Sequence, residues 1–223
     1  MNKIKFQKVS KSYSEGRSAL SEVSIELVEG EVTFLTGHSG AGKSSFLKLI
    51  MRNELASNGT VSVNGIDLAS IKKRDLPYYR RSLGVVFQDH HLLMNRTVFD
   101  NVVLPLSLIG ISGRVAIRRV RAALTTVGLE KYSMSRPYEL STGERQRVGI
   151  ARAVVMRPRI LLADEPTGNL DPELSLRAME LFSQFTEIGS IVVVASHDLL
   201  LINQIKARVV ELSDGRVIQD SRQ

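Results

Sequence analysis

Length, composition and charge exclude several classes of protein before any motif is considered. The chain has 223 residues, enough to bury a sizeable core, and it contains no cysteine, so disulfide bonds and thiol chemistry are excluded. Its 30 Lys and Arg residues against 23 Asp and Glu residues give a formal net charge of +7.

The apolar runs of the chain do not predict a membrane-spanning helix. Residues 1–6 lack the apolar run of a signal peptide. The best candidate span, 102–109, is too short to cross a bilayer and contains a proline. We therefore expect a soluble chain in a reducing cytoplasm, able to bind a membrane protein.

Basic residues concentrate at 72–74, 80–81 and 114–121. Such runs are found on solvated helix faces, on surfaces that attract an anionic membrane leaflet, and in nucleic-acid interfaces. Solvated helix faces explain them most simply. Because no aromatic residues interleave with the basic ones, the pattern argues against nucleic acid as a partner.

The N-terminal part predicts a small antiparallel sheet. Strand-like patterns cover 4–9, 24–28 and 60–63, and turn residues stand between them at Gly30 and 58–59. This sheet is expected beside a short buried strand over 31–36, which leads into a glycine-rich segment.

The glycine-rich segment GHSGAGKS, residues 37–44, fits the pattern G-x-x-x-x-G-K-[ST] of a phosphate-binding loop. Its backbone N–H groups can cradle phosphate oxygens, and a helix predicted over 44–50 would point its positive N-terminus at them. A glycine turn without ligand is the alternative, but Lys and Ser follow in the required places. The predicted nucleotide-binding residues of this segment are Gly37, His38, Ser39, Gly40, Ala41, Gly42, Lys43, Ser44 and Ser45.

The middle of the chain, near 89–158, loses strand character and predicts helices over 97–103, 113–127 and 143–156. Ser141 can cap the last of these, with Glu144 three residues later completing a capping box. Taken alone, this segment needs no function beyond capping. The pair His90–His91 does not predict a zinc site, because no Cys or suitably spaced His accompanies it.

Acidic and imidazole side chains follow two later apolar runs. The run 159–163 ends in Asp164 and Glu165, and the run 190–195 precedes His197. Each has an ordinary structural explanation: an acidic loop before a capped helix, and a single histidine after a strand. Strand and helix alternate from 159 onward, which predicts a parallel α/β core.

Three segments, GHSGAGKS, LSTGERQRVGIARAVV and LLADEPTGNLD, occur in the order typical of ATP-binding cassette (ABC) ATPases, and the chain resembles this family over essentially its whole length. The resemblance implies one ABC nucleotide-binding domain over 1–223, with a parallel core sheet and an N-terminal antiparallel β subdomain. The core would comprise 1–88 and 159–223, and an inserted helical subdomain would span about 89–158.

The resemblance also implies a role for individual residues in ATP hydrolysis. Thr142 and Arg145 depart from the usual pattern, where Gly and Gln are common, and would affect the rate of hydrolysis rather than the identity of the protein. The implied catalytic residues are Glu165 as base, His197, Gln88 and Lys43. The implied Mg²⁺ site comprises Ser44, Gln88 and Asp164. The remaining implied ATP contacts are Tyr13 on adenine, and Ser141, Gly143 and Glu144 on the nucleotide of the other protomer.

Within the ABC family, the segment VFQDHHLLMNRTVFDNV, residues 86–102, resembles the FtsE family of bacterial cell-division ATPases. That resemblance implies an ATP-dependent homodimer on the cytoplasmic face of the inner membrane. It also implies an FtsX-like integral membrane partner docked near 88–101, through which cell-wall hydrolysis is regulated.

Three other interpretations compete with this one. The chain could be the ATPase subunit of a lipoprotein-releasing or of a macrolide or toxin efflux transporter, since these share the ADEPTGNLD segment. An ABC protein of DNA maintenance or of the ribosome would need a coiled-coil insertion or a second cassette, and neither is present. A non-hydrolysing ATP-binding adaptor is disfavoured by the presence of Glu165, Gln88 and His197.

Overall fold

The computed structural model describes residues 2–13, 18–205 and 207–222, which form two β-sheets and the helices packed on them. The strands are β1 (Lys3–Ser12), β2 (Ser18–Val28), β3 (Val32–Thr36), β4 (Asn58–Val63), β5 (Ile66–Asp67), β6 (Leu83–Val86), β7 (Ile160–Asp164), β8 (Ile191–Ala195), β9 (Arg208–Ser213) and β10 (Arg216–Asp220). The helices are α1 (Lys43–Ile50), α2 (Leu76–Arg81), α3 (Val98–Leu108), α4 (Gly113–Thr126), α5 (Thr142–Val154), α6 (Pro172–Glu187) and α7 (Leu199–Gln204).

The two sheets differ in strand direction. The first is antiparallel with the order β2-β1-β4-β5. The second has the order β10-β9-β3-β8-β7-β6, and all its neighbouring strands are parallel except the terminal pair β10 and β9. The predicted α/β class, with a small antiparallel sheet and a parallel core sheet, is confirmed.

Parallel pairing brings the carboxyl ends of four strands to one edge of the core sheet. The register places Asp164 of β7 opposite Ala195 of β8, and Leu35 of β3 opposite the same alanine. Strand β6 lies beside β7, with Val86 opposite Ala163. The loops that follow β3, β6, β7 and β8 therefore meet at this edge, as open parallel sheets dictate.

Side chains alternate along the core strands between two apolar cores, because successive residues of a strand face opposite sides of the sheet. On β8, Val192 and Val194 face a core shared with α3, α4, α5 and α6. Ile191 and Val193 face a core shared with α1 and the antiparallel sheet. The helices of the middle segment thus pack on one face of the core sheet. The proposed subdomain boundaries at 88 and 159 stay predictions.

Helix α3 is longer than predicted. The sequence pattern predicts an end near Val103, but the helix continues through Pro105 to Leu108. A proline inside a helix lacks an N–H donor and normally shortens it. Here burial of Val102 and Leu106 against the core outweighs that cost, with both side chains fully inaccessible to solvent. None of the described helices is long and apolar enough to cross a bilayer.

Candidate functional site

A cleft of about 890 Å³ opens where the four strand ends meet. It is larger than needed for one phosphate group and is lined mainly by polar side chains and glycines. Its lining residues are Tyr13, Ala19, Gly37, His38, Ser39, Gly40, Gly42, Lys43, Ser44, Ser45, Lys48, Gln88, Asp164, Glu165, Gly168, Asn169 and His197. Residues from every predicted nucleotide-contacting segment except the 141–144 segment therefore converge here.

The loop between β3 and α1 depends on glycine at two positions. Gly37 has φ 132° and Gly42 has φ 112°, a region that other residues rarely adopt. A Cβ at Gly37 would overlap the carbonyl oxygen of Leu212, and one at Gly42 would overlap that of Ala19. The loop therefore packs closely against β9 and β2 on one side. Its other side lines the cleft.

Lys43 lies across the mouth of this loop. Its Nζ donates to the carbonyl oxygens of Gly37 at 2.6 Å and His38 at 3.0 Å. Ala41 is buried and supports the loop through its N–H, which donates to the His38 carbonyl at 3.1 Å. The arrangement places one cation at the N-terminus of α1, where an anion is favoured.

Ser44 and Asp164 form the oxygen-rich part of the cleft. Burial raises the pKa of the Asp164 carboxyl group and the neighbouring Glu165 raises it further, although the Ser44 hydroxyl beside it acts in the opposite direction. Hydroxyl and carboxylate oxygens suit a hard cation such as Mg²⁺. Among the described residues no group of three or more His, Cys, Asp and Glu could enclose a metal. The pair thus fits a cation that keeps water or phosphate ligands.

Glu165 and His197 contact each other directly at the ends of β7 and β8. Nδ1 of His197 lies 2.8 Å from Oε1 of Glu165, with 16% of the Glu165 side chain exposed against 75% for the histidine. Glu165 also has φ 48°, in the left-handed region, and its N–H donates to the Ala195 carbonyl. Strain of this kind concentrates at functional sites. Such a carboxylate can accept a proton from a water molecule in the cleft.

Gln88 and Tyr13 both line the cleft. Gln88 follows β6 and is exposed. The Tyr13 hydroxyl lies 3.2 Å from Oγ of Ser45, and Nζ of Lys11 lies 4.9 Å from the centre of the Tyr13 ring. The contact with Ser45 therefore ties Tyr13 to α1.

Ser141, Gly143 and Glu144 do not line the cleft. They form the N-terminus of α5, where the predicted capping box is present: the Glu144 N–H donates to Oγ of Ser141, and the Ser141 N–H donates to Oε2 of Glu144. These bonds lower the pKa of Glu144. Ser141 is exposed, so this helix end is open to a second molecule.

The two departures from the family pattern contact each other. Nη2 of Arg145 donates to Oγ1 of Thr142 at 3.0 Å, and Nη1 donates to the Leu140 carbonyl at 2.7 Å. The guanidinium thus joins the residues on either side of Ser141. The pair braces the turn that leads into α5.

Sequence reasoning missed four residues of the cleft: Ala19, Lys48, Gly168 and Asn169. Lys48 lies one helical turn after Ser44 on α1, and its charge lowers the pKa of Asp164. The i, i+4 spacing from Ser44 was a signal that could have found it. Ala19 carries no such signal, because only tertiary packing brings β2 to the loop.

Replacing Asp164 with Asn is expected to stabilise the nucleotide-free chain at neutral pH. The pKa of Asp164 is raised in the folded state, so stability is lost as the pH rises from its ordinary pKa through the raised one. Thermal unfolding at pH 7 should give a higher midpoint for Asp164→Asn than for the native chain. The difference between the two unfolding midpoints should narrow as the pH is lowered. A difference that widens would contradict a raised pKa of Asp164.

Replacing Gly143 with Ala is expected to lower ATP hydrolysis at least about tenfold. A Cβ at Gly143 would lie 2.8 Å from the carbonyl oxygen of Asn169, so the backbone that borders the cleft must shift. Gly149→Ala in the same helix is the matched control, because nothing lies within 4 Å of its Cβ position. Steady-state phosphate release should fall for Gly143→Ala only, and equal rates for both variants would contradict the expectation.

Comparison with known proteins identifies the family. The model of the ABC transporter family matches residues 20–168. The chain is 52% identical to the cell division ATP-binding protein FtsE of Escherichia coli K12 over 214 residues, 96% of either chain. It is 42% identical to FtsE of Bacillus subtilis over 217 residues, 97% of this chain and 95% of the relative.

Solved structures agree with the sequence relatives. The dimeric structure of MJ0796, described as a bacterial ABC transporter cassette, superimposes with a TM-score of 0.91 at 34% identity and covers 98% of this chain and 97% of its own. A dimeric post-hydrolysis state of the same cassette, bound to ADP and phosphate, also gives 0.91 at 33% identity. The predicted ABC cassette fold and ATPase activity are thereby confirmed. The chain belongs to the ABC transporter family, as an ATP-binding and ATP-hydrolysing subunit similar to the cell-division protein FtsE.

Proposed function

We propose that the chain hydrolyses MgATP in the cleft between its strand ends and thereby drives a cell-division ABC complex. The observation that carries this proposal is the convergence of Lys43, Asp164, Glu165 and His197 in one cleft. Lys43 and the N–H groups of its loop bind the β- and γ-phosphates. Glu165, held by His197, takes the proton of the attacking water.

Ser44, Asp164 and Gln88, which all line the cleft, are the residues we assign to Mg²⁺. When bound, the cation neutralises charge on the transferred phosphoryl group. The protein's own contribution is a set of oxygen ligands that already lie together in the cleft. Tyr13 is assigned to stacking on adenine, since its ring borders the cleft.

The active form is proposed to be a homodimer that ATP closes. Ser141, Gly143 and Glu144 lie outside the cleft of their own protomer, at an exposed helix N-terminus. In a two-fold dimer this end would face the γ-phosphate bound by Lys43 of the partner protomer. Hydrolysis would remove the shared phosphate and weaken the closed state, which supplies a two-state element for signalling. The dimeric state of MJ0796 supports this arrangement.

The loop 89–97 is proposed to contact an FtsX-like membrane partner. It follows Gln88 directly and exposes two apolar side chains, Leu93 at 42% and Met94 at 46%. The fully buried side chain of Asn101 holds it in shape: Oδ1 accepts from the Leu93 N–H, and Nδ2 donates to the carbonyls of Leu93 and Thr97. A loop that Asn101 holds in this way beside Gln88 can pass a partner's movement to the cleft.

The similarity to FtsE proteins supports a role at the cytoplasmic face of the bacterial inner membrane, where the complex would regulate cell-wall hydrolysis. The alternative is the ATPase subunit of a lipoprotein-releasing or efflux transporter. Both functions leave the cleft assignments unchanged, because they differ in the membrane partner and not in the chemistry.

A pull-down of the tagged chain from detergent-solubilised membranes of its host separates the two functions. Mass spectrometry of the recovered integral membrane protein is the readout. An FtsX-like partner supports the cell-division function, and a lipoprotein-release or efflux permease replaces it. A parallel assay of phosphate release tests hydrolysis alone, and a chain that binds ATP without turnover would contradict the catalytic assignments.

A further inference from the structure

Helices α3 and α4 are joined by the short loop 109–112, and residues 108–118 form a hairpin tip around it. The tip exposes four large apolar side chains: Leu108, Ile109, Val115 and Ile117 have exposed fractions of 42% to 50%. Single exposed apolar residues are common on protein surfaces. Four of them within one loop and its flanking helical turns indicate an interaction surface.

The exposure of these side chains does not come from a loosely packed loop. Gly110, with φ 80°, ends α3 in the left-handed conformation typical of a helix C-terminus, and its N–H donates to the Ser107 carbonyl at 3.1 Å. The next N–H, that of Ile111, donates to the Leu106 carbonyl at 2.9 Å, and the Ile111 side chain packs against the core. The backbone of the hairpin tip is thus defined, and it directs Ile109 outward.

The charge of this hairpin has one sign. Between Asp100 and Glu130 the sequence has four arginines and no acidic residue, so this segment carries four of the seven net positive charges of the chain. Three of the arginines, Arg114, Arg118 and Arg121, recur at helical spacing on the exposed face of α4 and form an arginine stripe. Within the described residues, no acidic side chain lies at ion-pair distance from the stripe.

A solvated helix face is the simplest explanation of basic residues, but such faces usually carry both signs of charge. The stripe instead leaves its guanidinium groups uncompensated beside apolar side chains. A nucleic acid would pair with the arginines and leave Ile109 and Val115 in water, and no aromatic residue stands between 100 and 130 to stack on a base. The surface of an anionic bilayer matches both features, because it offers phosphate groups above a layer of acyl chains.

We propose that the hairpin tip binds the anionic membrane leaflet directly. The arginine stripe lies among the lipid phosphates, and Ile109 and Val115 enter the boundary between head groups and acyl chains. Helix α4 does not sink into the bilayer along its length, because Ala116 and Val120 bury its opposite face in the protein core. The contact is therefore shallow and reversible.

The place of the hairpin tip in the fold supports this contact. Helix α3 begins where the loop 89–97, proposed to meet the membrane partner, ends. Its 11 residues span about 16 Å, so the tip lies within reach of the membrane that holds the partner. The inference goes beyond the proposed function, because contact with lipid requires no partner protein.

Co-sedimentation of the purified full chain with vesicles measures the contact in the absence of a partner. The chain should bind vesicles of phosphatidylglycerol and phosphatidylcholine at least about tenfold more tightly than vesicles of phosphatidylcholine alone, because basic residues near an anionic surface act together. Binding should weaken as salt screens the charges. Equal binding to both kinds of vesicle, or to neither, would overturn the inference.

Charge reversal locates the contact. The double variant Arg114→Glu, Arg118→Glu should lower binding to the anionic vesicles at least about tenfold. The matched control is Lys8→Glu, Arg216→Glu, which changes the net charge equally at exposed positions of β1 and β10 and should lower binding less than about threefold. Equal losses would mean that net charge alone attracts the vesicles, and the hairpin tip would have no special role.

Truncation of the apolar side chains tests whether they enter the bilayer. The double variant Ile109→Ser, Val115→Ser should lower binding to anionic vesicles at least about tenfold, because both side chains would leave water on binding. Ile188→Ser, Ile218→Ser is the control, since these isoleucines are even more exposed and lie elsewhere in the fold. Native affinity in the tip variant would contradict insertion and reject the inference.

Two further measurements separate the alternatives. Duplex DNA at the same phosphate concentration distinguishes the source of the phosphate groups, and tighter binding to DNA than to vesicles would assign the stripe to nucleic acid and reject the inference. Phosphate release and thermal unfolding should be native in every variant, because none of the changed residues lines the cleft. A failure to bind vesicles leaves recovery of the membrane partner, and with it the proposed function, intact.

Discussion

Replacing Glu165 with Gln is expected to lower the rate of ATP hydrolysis at least about 100-fold, because a positioned general base contributes about 10²–10⁴ in rate. Glutamine has the same shape and can keep the contact with His197, which now measures 2.8 Å from Nδ1 to Oε1. It cannot accept a proton from water. ATP binding should therefore persist while turnover stops.

The same substitution should make the chain accumulate as a dimer in the presence of MgATP. The γ-phosphate that the two protomers share would no longer be removed, so the closed state would be trapped. Size-exclusion chromatography with ATP, compared with ADP, measures this directly. Glu180→Gln is the control, since Glu180 is an exposed carboxylate on α6 that does not line the cleft. Native turnover by Glu165→Gln would remove Glu165 from the role of base.

The position of Glu165 illustrates how far the sequence could predict the site. An apolar run ending in two acids predicts a buried strand that delivers carboxylates to a sheet edge, and a histidine after another apolar run predicts a neighbour at the same edge. Parallel pairing of β7 with β8 then brings the ends together, with Asp164 opposite Ala195. Motifs that directly follow parallel strands are predictable because the fold has one place to put them.

Other features depend on contacts between distant residues and carry no local signal. The left-handed backbone of Glu165 and its bond to His197 join residues 32 positions apart. The sequence predicts nothing more for Asn101 than a polar residue in a helix. In the structure its buried amide accepts a hydrogen bond from Leu93 and holds the loop after Gln88. Helix α3 continues past Pro105 for a tertiary reason, since burial outweighs the missing hydrogen bond.

The capping box at Ser141 shows the opposite case. Ser followed three residues later by Glu is a local pattern, and both reciprocal bonds of the box are present. The sequence shows that Thr142 and Arg145 both depart from the family pattern, but it does not predict that their side chains contact each other. Their hydrogen bond depends on the side-chain rotamers in the turn before α5. The cap defines this turn, but no sequence pattern specifies the rotamers.

Replacing Lys43 with Met is expected to weaken ATP binding at least about 100-fold. The Lys43 ammonium group already donates to two loop carbonyls, at 2.6 and 3.0 Å, in the place where phosphate oxygens would compete for it. Hydrogen bonds to charged groups contribute about 1.5–3 kcal/mol each. Two of them correspond to about 100-fold or more, since 1.4 kcal/mol is a factor of ten.

Lys48→Met is the matched control for this prediction. Lys48 lines the same cleft on the same helix and has the same charge, but it lies one turn farther from the loop and has no hydrogen bond to the loop carbonyls. If position decides affinity, Lys48→Met should weaken binding less than about tenfold, as expected for a screened charge. Isothermal titration with ATP and Mg²⁺ measures both variants. Equal losses would mean that net positive charge attracts the nucleotide, because only a directional contact distinguishes two lysines one helical turn apart.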